Sequence, residues 1–229
     1  IIVGSNLQLS MKILIAGAGA VGTHLARLLE QENHDITLMD GNKERLTLIR
    51  DNSEILTYMG NCTSLKDLTA AGVANTDLFI GVTPEESKNI NSCMLASNLG
   101  AKKTLARIDN HEYLLPKNLD FFEKLGIHSM IYPELVAARE IAMAIKTPWT
   151  RFWWELCNGT VILIGAKIRQ NAPLVNKYLH ELVQQSKQFH LVAIKRGTKT
   201  IIPQGSDQIL PNDILYFTTI RKHVDILPE

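Results

Sequence analysis

The sequence predicts an α/β fold, a doubly wound parallel sheet followed by a small C-terminal α+β domain. Three observations carry this reading. From Lys12 to Ile145, apolar runs of strand length alternate with segments of helical period. A glycine-rich turn joins the first run to the first helix, and after Ile145 the pattern shifts to closely spaced strands and turns. At 229 residues the chain is long enough for one ordinary domain and a smaller second one.

The first strand is KILIA at 12–16, and the chain then reads Gly17, Ala18, Gly19, Ala20, Val21, Gly22 before resuming as LARLL. This is the strand, turn and helix of a dinucleotide-binding unit. Gly17 turns the chain off the strand, Gly19 removes a side chain where backbone approaches a pyrophosphate, and Gly22 lets the helix pack closely on the sheet. The helix beginning there points free N–H groups and the positive end of its dipole at the phosphates. Asp40 ends the next apolar run, ITLM, about 20 residues on, where a carboxylate accepts hydrogen bonds from ribose hydroxyls. A 2′-phosphate would meet a like charge there, so NAD is favoured over NADP. The bland alternative is a glycine-rich turn with no ligand.

Further strands are expected near 36–39, 55–59, 77–82, 104–108 and 128–131, with helices near 21–32, 43–51, 64–71, 86–99 and 133–146. Such alternation makes a Rossmann-like sheet whose right-handed crossovers leave the ligand-binding loops along one edge. Asn61 and Cys62 follow the third strand. The Asn61 amide either hydrogen-bonds an adenine or its ribose, or the loop serves only to cap the next helix through Thr63 or Ser64, with Asp67 three residues after Ser64. Thr83 and Pro84 open the helix at 86–99 and offer a hydroxyl and amides beside the glycine turn. Arg107 ends the fifth strand and either reaches a phosphate or pairs with Asp109 or Glu112.

Lys146-Thr147-Pro148 stops the long helix, and Trp149, Phe152, Trp153 and Trp154 follow, a cluster that either packs two halves together or faces a partner. FWWELC and TVILIGAKI read as strands joined by Asn158-Gly159, a two-residue type I′ hairpin signal. An amphipathic helix is expected over 173–183, then strands FHLVAIKR, KTIIP and DILYFTTI, with turns at Arg196-Gly197 and at Pro211-Asn212-Asp213. The expected division is 11–146, a joint at 147–158, and 159–229, with 1–10 an upstream extension before Met11.

Lys plus Arg number 24 against 23 Asp plus Glu, so no net field holds nucleic acid or anionic lipid. Cys62, Cys93 and Cys157 are far apart, which argues against both a disulfide framework and a zinc site and for reduced thiols. No apolar run reaches the roughly 18 residues of a bilayer span, and a soluble intracellular chain is expected. An NAD-dependent oxidoreductase is the rival reading. No Tyr-x-x-x-Lys pair stands where a short-chain reductase would need its proton donor, and the seven histidines form no partnered constellation. A redox-sensing repressor would need a basic helix-turn-helix, which the sequence does not supply.

KILIAGAGAVGTHLARLLEQENHDITLMD, the Gly-Asn-Cys-Thr and LFIGVT segments, TLARI and YPELVAAREIA together resemble the nucleotide-binding half of an RCK domain, the regulator of conductance of potassium. NAPLVNKYLHELV and LVAIKRGTKTIIPQGSDQILPNDILYF resemble the C-terminal subdomain of the same family, most closely its TrkA type. The resemblance runs from about Met11 to Ile220. It implies a non-catalytic sensor binding NAD(H), or ATP and ADP at the same site, on the cytoplasmic face of the plasma membrane. The implied partners are a membrane potassium-translocating subunit of Trk or Ktr type and further copies of the chain, dimers building a ring. By position the implied nucleotide site is Gly17 through Gly22, Asp40, Asn61 with Cys62, Thr83 with Pro84, and Arg107. Asn61 stands where many members carry an acidic residue, leaving the choice between NADH and ATP open. Trk-type subunits carry two such units in tandem, so one unit implies either the first half of a longer protein or a single-unit Ktr-type relative.

Overall fold

A computed structural model describes residues 10–51, 53–183 and 188–226; the expected extension before Met11 lies outside them apart from Ser10. The chain divides into two compact units, Ile1–Ala137 and Ala138–Glu229.

In the first unit, β1 (Lys12–Ala16), β2 (Asp35–Asp40), β3 (Leu56–Met59), β4 (Leu78–Gly81), β5 (Lys103–Arg107) and β6 (Ser129–Ile131) pair in parallel. Their order is β3-β2-β1-β4-β5-β6, the doubly wound arrangement expected. Crossover helices are α1 (Ala20–Gln31), α2 (Lys43–Arg50), α3 (Leu65–Ala70), α4 (Glu86–Asn98) and α5 (Pro116–Lys124), and α6 (Pro133–Lys146) follows β6. Because helices cover both faces, the central strands are apolar at successive positions. Leu14, Ala16, Met39 and Phe79 enter one core, while Ile13, Ile15, Leu38 and Ile80 enter the other. The sheet order reverses between β1 and β4, which opens a crevice at their C-terminal ends.

Two glycines hold that crevice's shape. Gly17 has φ +115°, and a Cβ there would lie 2.9 Å from the Thr83 nitrogen. At Gly22 a Cβ would overlap the Gly17 carbonyl oxygen, so α1 packs on the turn only without a side chain. Gly19 differs, since a Cβ there meets nothing within 4 Å.

The second unit is an antiparallel sheet in the order β10-β9-β11-β8-β7. Its strands are β7 (Thr150–Leu156), β8 (Val161–Lys167), β9 (Phe189–Arg196), β10 (Lys199–Ile201) and β11 (Ile214–Ile220). A short helix, α7 (Leu179–Val183), precedes β9, and Ile168, Leu179, Ile194, Ile209 and Leu215 form the core beneath. Gly165 of β8 sits between Phe152 and Tyr216, where a Cβ would approach the Phe152 Cβ to 2.9 Å, so aromatic rings cover the glycine. Asp213 is buried and takes both Nε and Nη2 of Arg196, at 2.9 and 2.8 Å, plus the Leu210 N–H. Burial alone would raise its carboxyl; Arg196 and that N–H outweigh it and hold the group below its ordinary value.

Three expectations are corrected and one is extended. Helix α5 adds an element to the expected set, and Pro116 at its first position and the Leu119 to Phe122 spacing are its helical signals. Of the helix expected over 173–183, only Leu179–Val183 forms. Before it, Asn176 is left-handed (φ 63°), and the Asn176 and Leu179 N–H groups bond to the Ile209 and Asp207 carbonyls instead of back along a helix. The β7–β8 hairpin is a four-residue loop: its last pair is Leu156 with Val161, and Cys157, Asn158 and Gly159 all have positive φ. Residues 147–158, expected as a joint, carry β7, so the second sheet begins at Thr150.

Gly22→Ala is expected to cost about 3 kcal/mol through overpacking, while Gly19→Ala leaves stability nearly unchanged, both read by urea denaturation. Arg196→Met strands a buried carboxylate and is expected to cost about 3–5 kcal/mol, more than Asp213→Asn, which leaves a guanidinium that reaches solvent. Because Asp213 is held below its ordinary value of 3.8, its contribution is complete above that pH and is lost as pH falls through the lower, folded value. An acid titration of the melting temperature should therefore drop less steeply below pH 3.8 in Asp213→Asn than in the parent.

Candidate functional site

The crevice at the C-terminal ends of β1, β2, β3 and β4 holds an open cavity of about 380 Å³. Six of the expected residues line it: Gly17, Asp40, Asn61, Cys62, Thr83 and Pro84. A second cavity of about 350 Å³, lined by polar residues, shares Asn61, Glu85 and Lys88 with the first and extends it past Thr63, Ser87 and Asn91 at the start of α4. Together they form a cleft with the glycine turn at one end and the α4 N-terminus at the other.

The carboxylate of Asp40 is built into the turn. Its Oδ2 accepts the Ala18 N–H at 2.6 Å and its Oδ1 the Asn42 N–H at 2.7 Å. Each oxygen retains a lone pair, so Asp40 braces the turn and can still accept a ribose hydroxyl. Arg45 stands 4.0 Å from Oδ2, placed there because Asn42 caps α2 by accepting the Arg45 N–H. Ala18 is buried under the turn, Gly22 is buried against Gly17 and Val82, and Gly19, Ala20 and Val21 form the accessible start of α1.

After β3 the capping reading of the loop holds. Ser64 is the N-cap of α3, and the Asn61 Oδ1 accepts from the Thr63 N–H and hydroxyl. That leaves the Asn61 Nδ2 donor without a hydrogen bond among the described residues, on the wall of the cleft. Cys62 is buried, which pushes its thiol up against the opposing effect of the Lys88 ammonium. Cys93, deeper in the core, is pushed up by burial to about 12. Neither is a poised nucleophile.

Two of the expected residues are engaged elsewhere in the fold. The Thr83 hydroxyl and N–H both donate to the Asn89 Oδ1, at 2.7 and 2.8 Å, so Thr83 lines the cleft without offering it either donor. Asn89 is itself buried and returns its amide to the Thr83 and Arg107 carbonyls, tying β4 to β5. Arg107 is not among the lining residues; its Nη2 bonds the Glu134 Oε1 at 2.6 Å, a partner other than the Asp109 and Glu112 expected from spacing. In compensation the cleft contains Arg45, Glu85 and Lys88, which sequence reasoning did not single out. Arg45 was legible as the third helical residue after an Asn cap, whereas Lys88 carried no signal beyond its place in the first turn of α4. No metal-ligand cluster is present among the described residues.

What the cleft can do follows from this inventory. The cations of Arg45 and Lys88 suit phosphate, and Asp40 and the Asn61 amide suit ribose and base; of the glycine turn only Gly17 lines the cleft.

Comparison with known proteins identifies the family. The TrkA-N domain matches residues 13–133 and the TrkA-C domain residues 163–226. The Trk system potassium uptake protein TrkA of Haemophilus influenzae is 32% identical over 218 residues, covering 93% of this chain and 48% of that protein. A TrkA homolog of Methanothermobacter thermautotrophicus is 30% identical over 194 residues, covering 85% of this chain and 87% of that one. The chain thus spans about half the length of the first relative and most of the second. Among solved structures, the GsuK channel bound to NAD aligns with TM-score 0.62 at 15% identity, over 93% of this chain and 38% of that one. The same channel bound to ADP aligns over 60% of this chain and 34% of that one, with TM-score 0.50 at 20% identity. With its two domain matches in order and a relative of nearly its own length, the chain belongs to the TrkA family.

Proposed function

We propose that this chain is a nucleotide-sensing regulatory subunit of a potassium uptake system, and not an enzyme. NAD(H) is the expected ligand, with ATP or ADP competing for the same cleft, and the output is gating of a membrane-embedded potassium-translocating subunit of Trk or Ktr type. The chain would act as a homo-oligomer, dimers building a ring, held peripherally on the cytoplasmic face of the plasma membrane. No helix among the described residues is long and apolar enough to cross a membrane.

The observation that carries this reading is the cleft at the sheet's switch point, with the Gly17 turn braced by Asp40 and opposed by Arg45 and Lys88. Family membership supports the output. Binding without turnover is supported by the chemistry of the lining. It contains no His or Tyr, its thiol is held protonated by burial, and its best-placed carboxylate is engaged by two backbone N–H groups.

For a nucleotide to gate anything it must bind two arrangements of the assembly with different affinity. A tenfold bias needs about 1.4 kcal/mol of such difference. We place the moving element at α6, the helix in which the two units divide. Its Val136, Ile141 and Ile145 are exposed.

Calorimetric titration with NADH, NAD, ATP and ADP is expected to show NADH and ATP competing at one site per chain without consumption of either. Absence of binding by all four would overturn the reading. Gly19→Asp, which adds a charge where a Cβ has open space, should retain the melting temperature and lose ligand at least tenfold. Arg45→Ala and Lys88→Ala should each weaken ADP about tenfold, the value of one charge-assisted contact, and weaken adenosine much less. Equal losses for ADP and adenosine would remove both side chains from phosphate recognition.

A further inference from the structure

The two sheets end in four edge strands, and three of them are short: β3 has four residues, β6 three and β10 three. The fourth, β7, has seven, TRFWWEL, and pairs on one side only, with β8. A long edge presents a row of backbone donors and acceptors, and proteins commonly blunt such an edge with Pro, Lys or brevity. None of these protects β7. Its one irregularity is a bulge between Thr150 and Phe152, beyond which Phe152 to Leu156 run in unbroken register with β8. Phe152 and Trp154 pack edge to face at 6.3 Å, yet remain 39% and 58% exposed.

The order of side chains along this edge suits one partner. About Trp153, the strand reads Arg-Phe-Trp-Trp-Glu, with opposite charges two residues to either side. When such a strand meets its own copy antiparallel, Trp153 faces Trp153 and Phe152 faces Trp154. Arg151, the extra residue of the bulge, then lies within long-side-chain reach of Glu155 of the other chain, twice over. In the single chain Arg151 is exposed and makes no ion pair among the described residues. Glu155 is bonded by Arg221, and a carboxylate has lone pairs enough for a second guanidinium.

We propose that β7 is a self-association surface, on which a second copy of this chain adds its own β7 antiparallel and in register at Trp153, joining two five-stranded sheets into one of ten. The proposal rests on the self-assembly part of the function proposed above and not on its nucleotide. Pairing across a two-fold axis also explains why the aromatic residues of this edge stand exposed in the single chain. Each would cover its counterpart, adding cross-strand aromatic contacts to the backbone ladder.

The test is a charge swap on the full chain. Arg151→Glu alone and Glu155→Arg alone each create two like-charge pairs in a homodimer, whereas a mixture of the two variants restores both opposite-charge pairs in the mixed dimer. Native mass spectrometry with a mass tag on one variant should show each variant alone associating at least tenfold more weakly than the parent. The mixed dimer should exceed the statistical half of all dimers. Arg151→Glu breaks no described ion pair, so its melting temperature should match the parent's, and its weakened association alone suffices if Glu155→Arg folds poorly. An associating parent with unchanged Arg151→Glu association, or with mixing at the statistical share, overturns the strand pairing and leaves self-assembly through another surface. A parent that is monomeric at tens of micromolar overturns both.

Discussion

The structure of the first unit depends on one close approach, the packing of α1 against the end of β1 and β4 through Gly17 and Gly22. Any side chain at Gly22 would occupy the position of the Gly17 carbonyl, and any at Gly17 would press on the Val82–Thr83 peptide. The absence of two Cβ atoms thus sets how near the helix N-terminus stands to the sheet. That distance sets how directly its free amides face the crevice. Asp40 completes the arrangement from the neighbouring strand by accepting the Ala18 N–H, so the turn is held from both sides of β1. A carboxylate that braces the turn and also faces the cleft links ligand contact to turn geometry. A ribose hydroxyl arriving at Asp40 would share the oxygens that hold Ala18 and Asn42.

Much of this was legible because it is written in local pattern. The parallel strands announce themselves as apolar runs buried on both faces, and β1 and β2 fell within one residue of their expected bounds. The glycines announce themselves because steric demand at a turn is met by one residue type. What was not legible depends on which distant group arrives first at a donor or acceptor. Nothing in TPEESKN says that Asn89 will take both Thr83 donors, since that bond closes only once α4 has docked on β4 and β5. Arg107 likewise has three carboxylates within reach by sequence or topology, and the turn into α6 delivers Glu134. The cations of the cleft were missed for a related reason. Arg45 and Lys88 lie in first turns of helices, positions read for capping, whereas their relevance comes from where the crossovers aim those turns.

In the second unit, local pattern misled where long-range pairing won. The segment from Pro173 has helical spacing, but its backbone groups are claimed by residues 207–209 across the unit, and a left-handed Asn176 prevents a helix from starting until Leu179. The Arg196–Asp213 pair sits close to that crossing, with Arg196 Nη2 also bonding the Gln208 carbonyl. A buried charge pair adds little net stability over an apolar replacement, but it is expensive to break. Its effect here is therefore specificity of register: only one alignment of β9 against the turn into β11 lets Asp213 keep all its donors.

The two units therefore obtain order by different means, and this bears on how a signal can pass. The first is close-packed through glycines and a continuous apolar core on each sheet face, so a ligand in its cleft acts on a stiff body. A stiff body does not absorb a perturbation locally; it transmits it to whichever contact has two arrangements close in free energy. Among the described residues, α6 has no buried side chain, and neither has the aromatic edge of β7 that follows it. Contacts made by such surfaces contribute no stability to the single chain, so exchanging one set for another costs the fold nothing. A ligand whose differential affinity is of order 1 kcal/mol can bias an equilibrium there, and would accomplish nothing against either core.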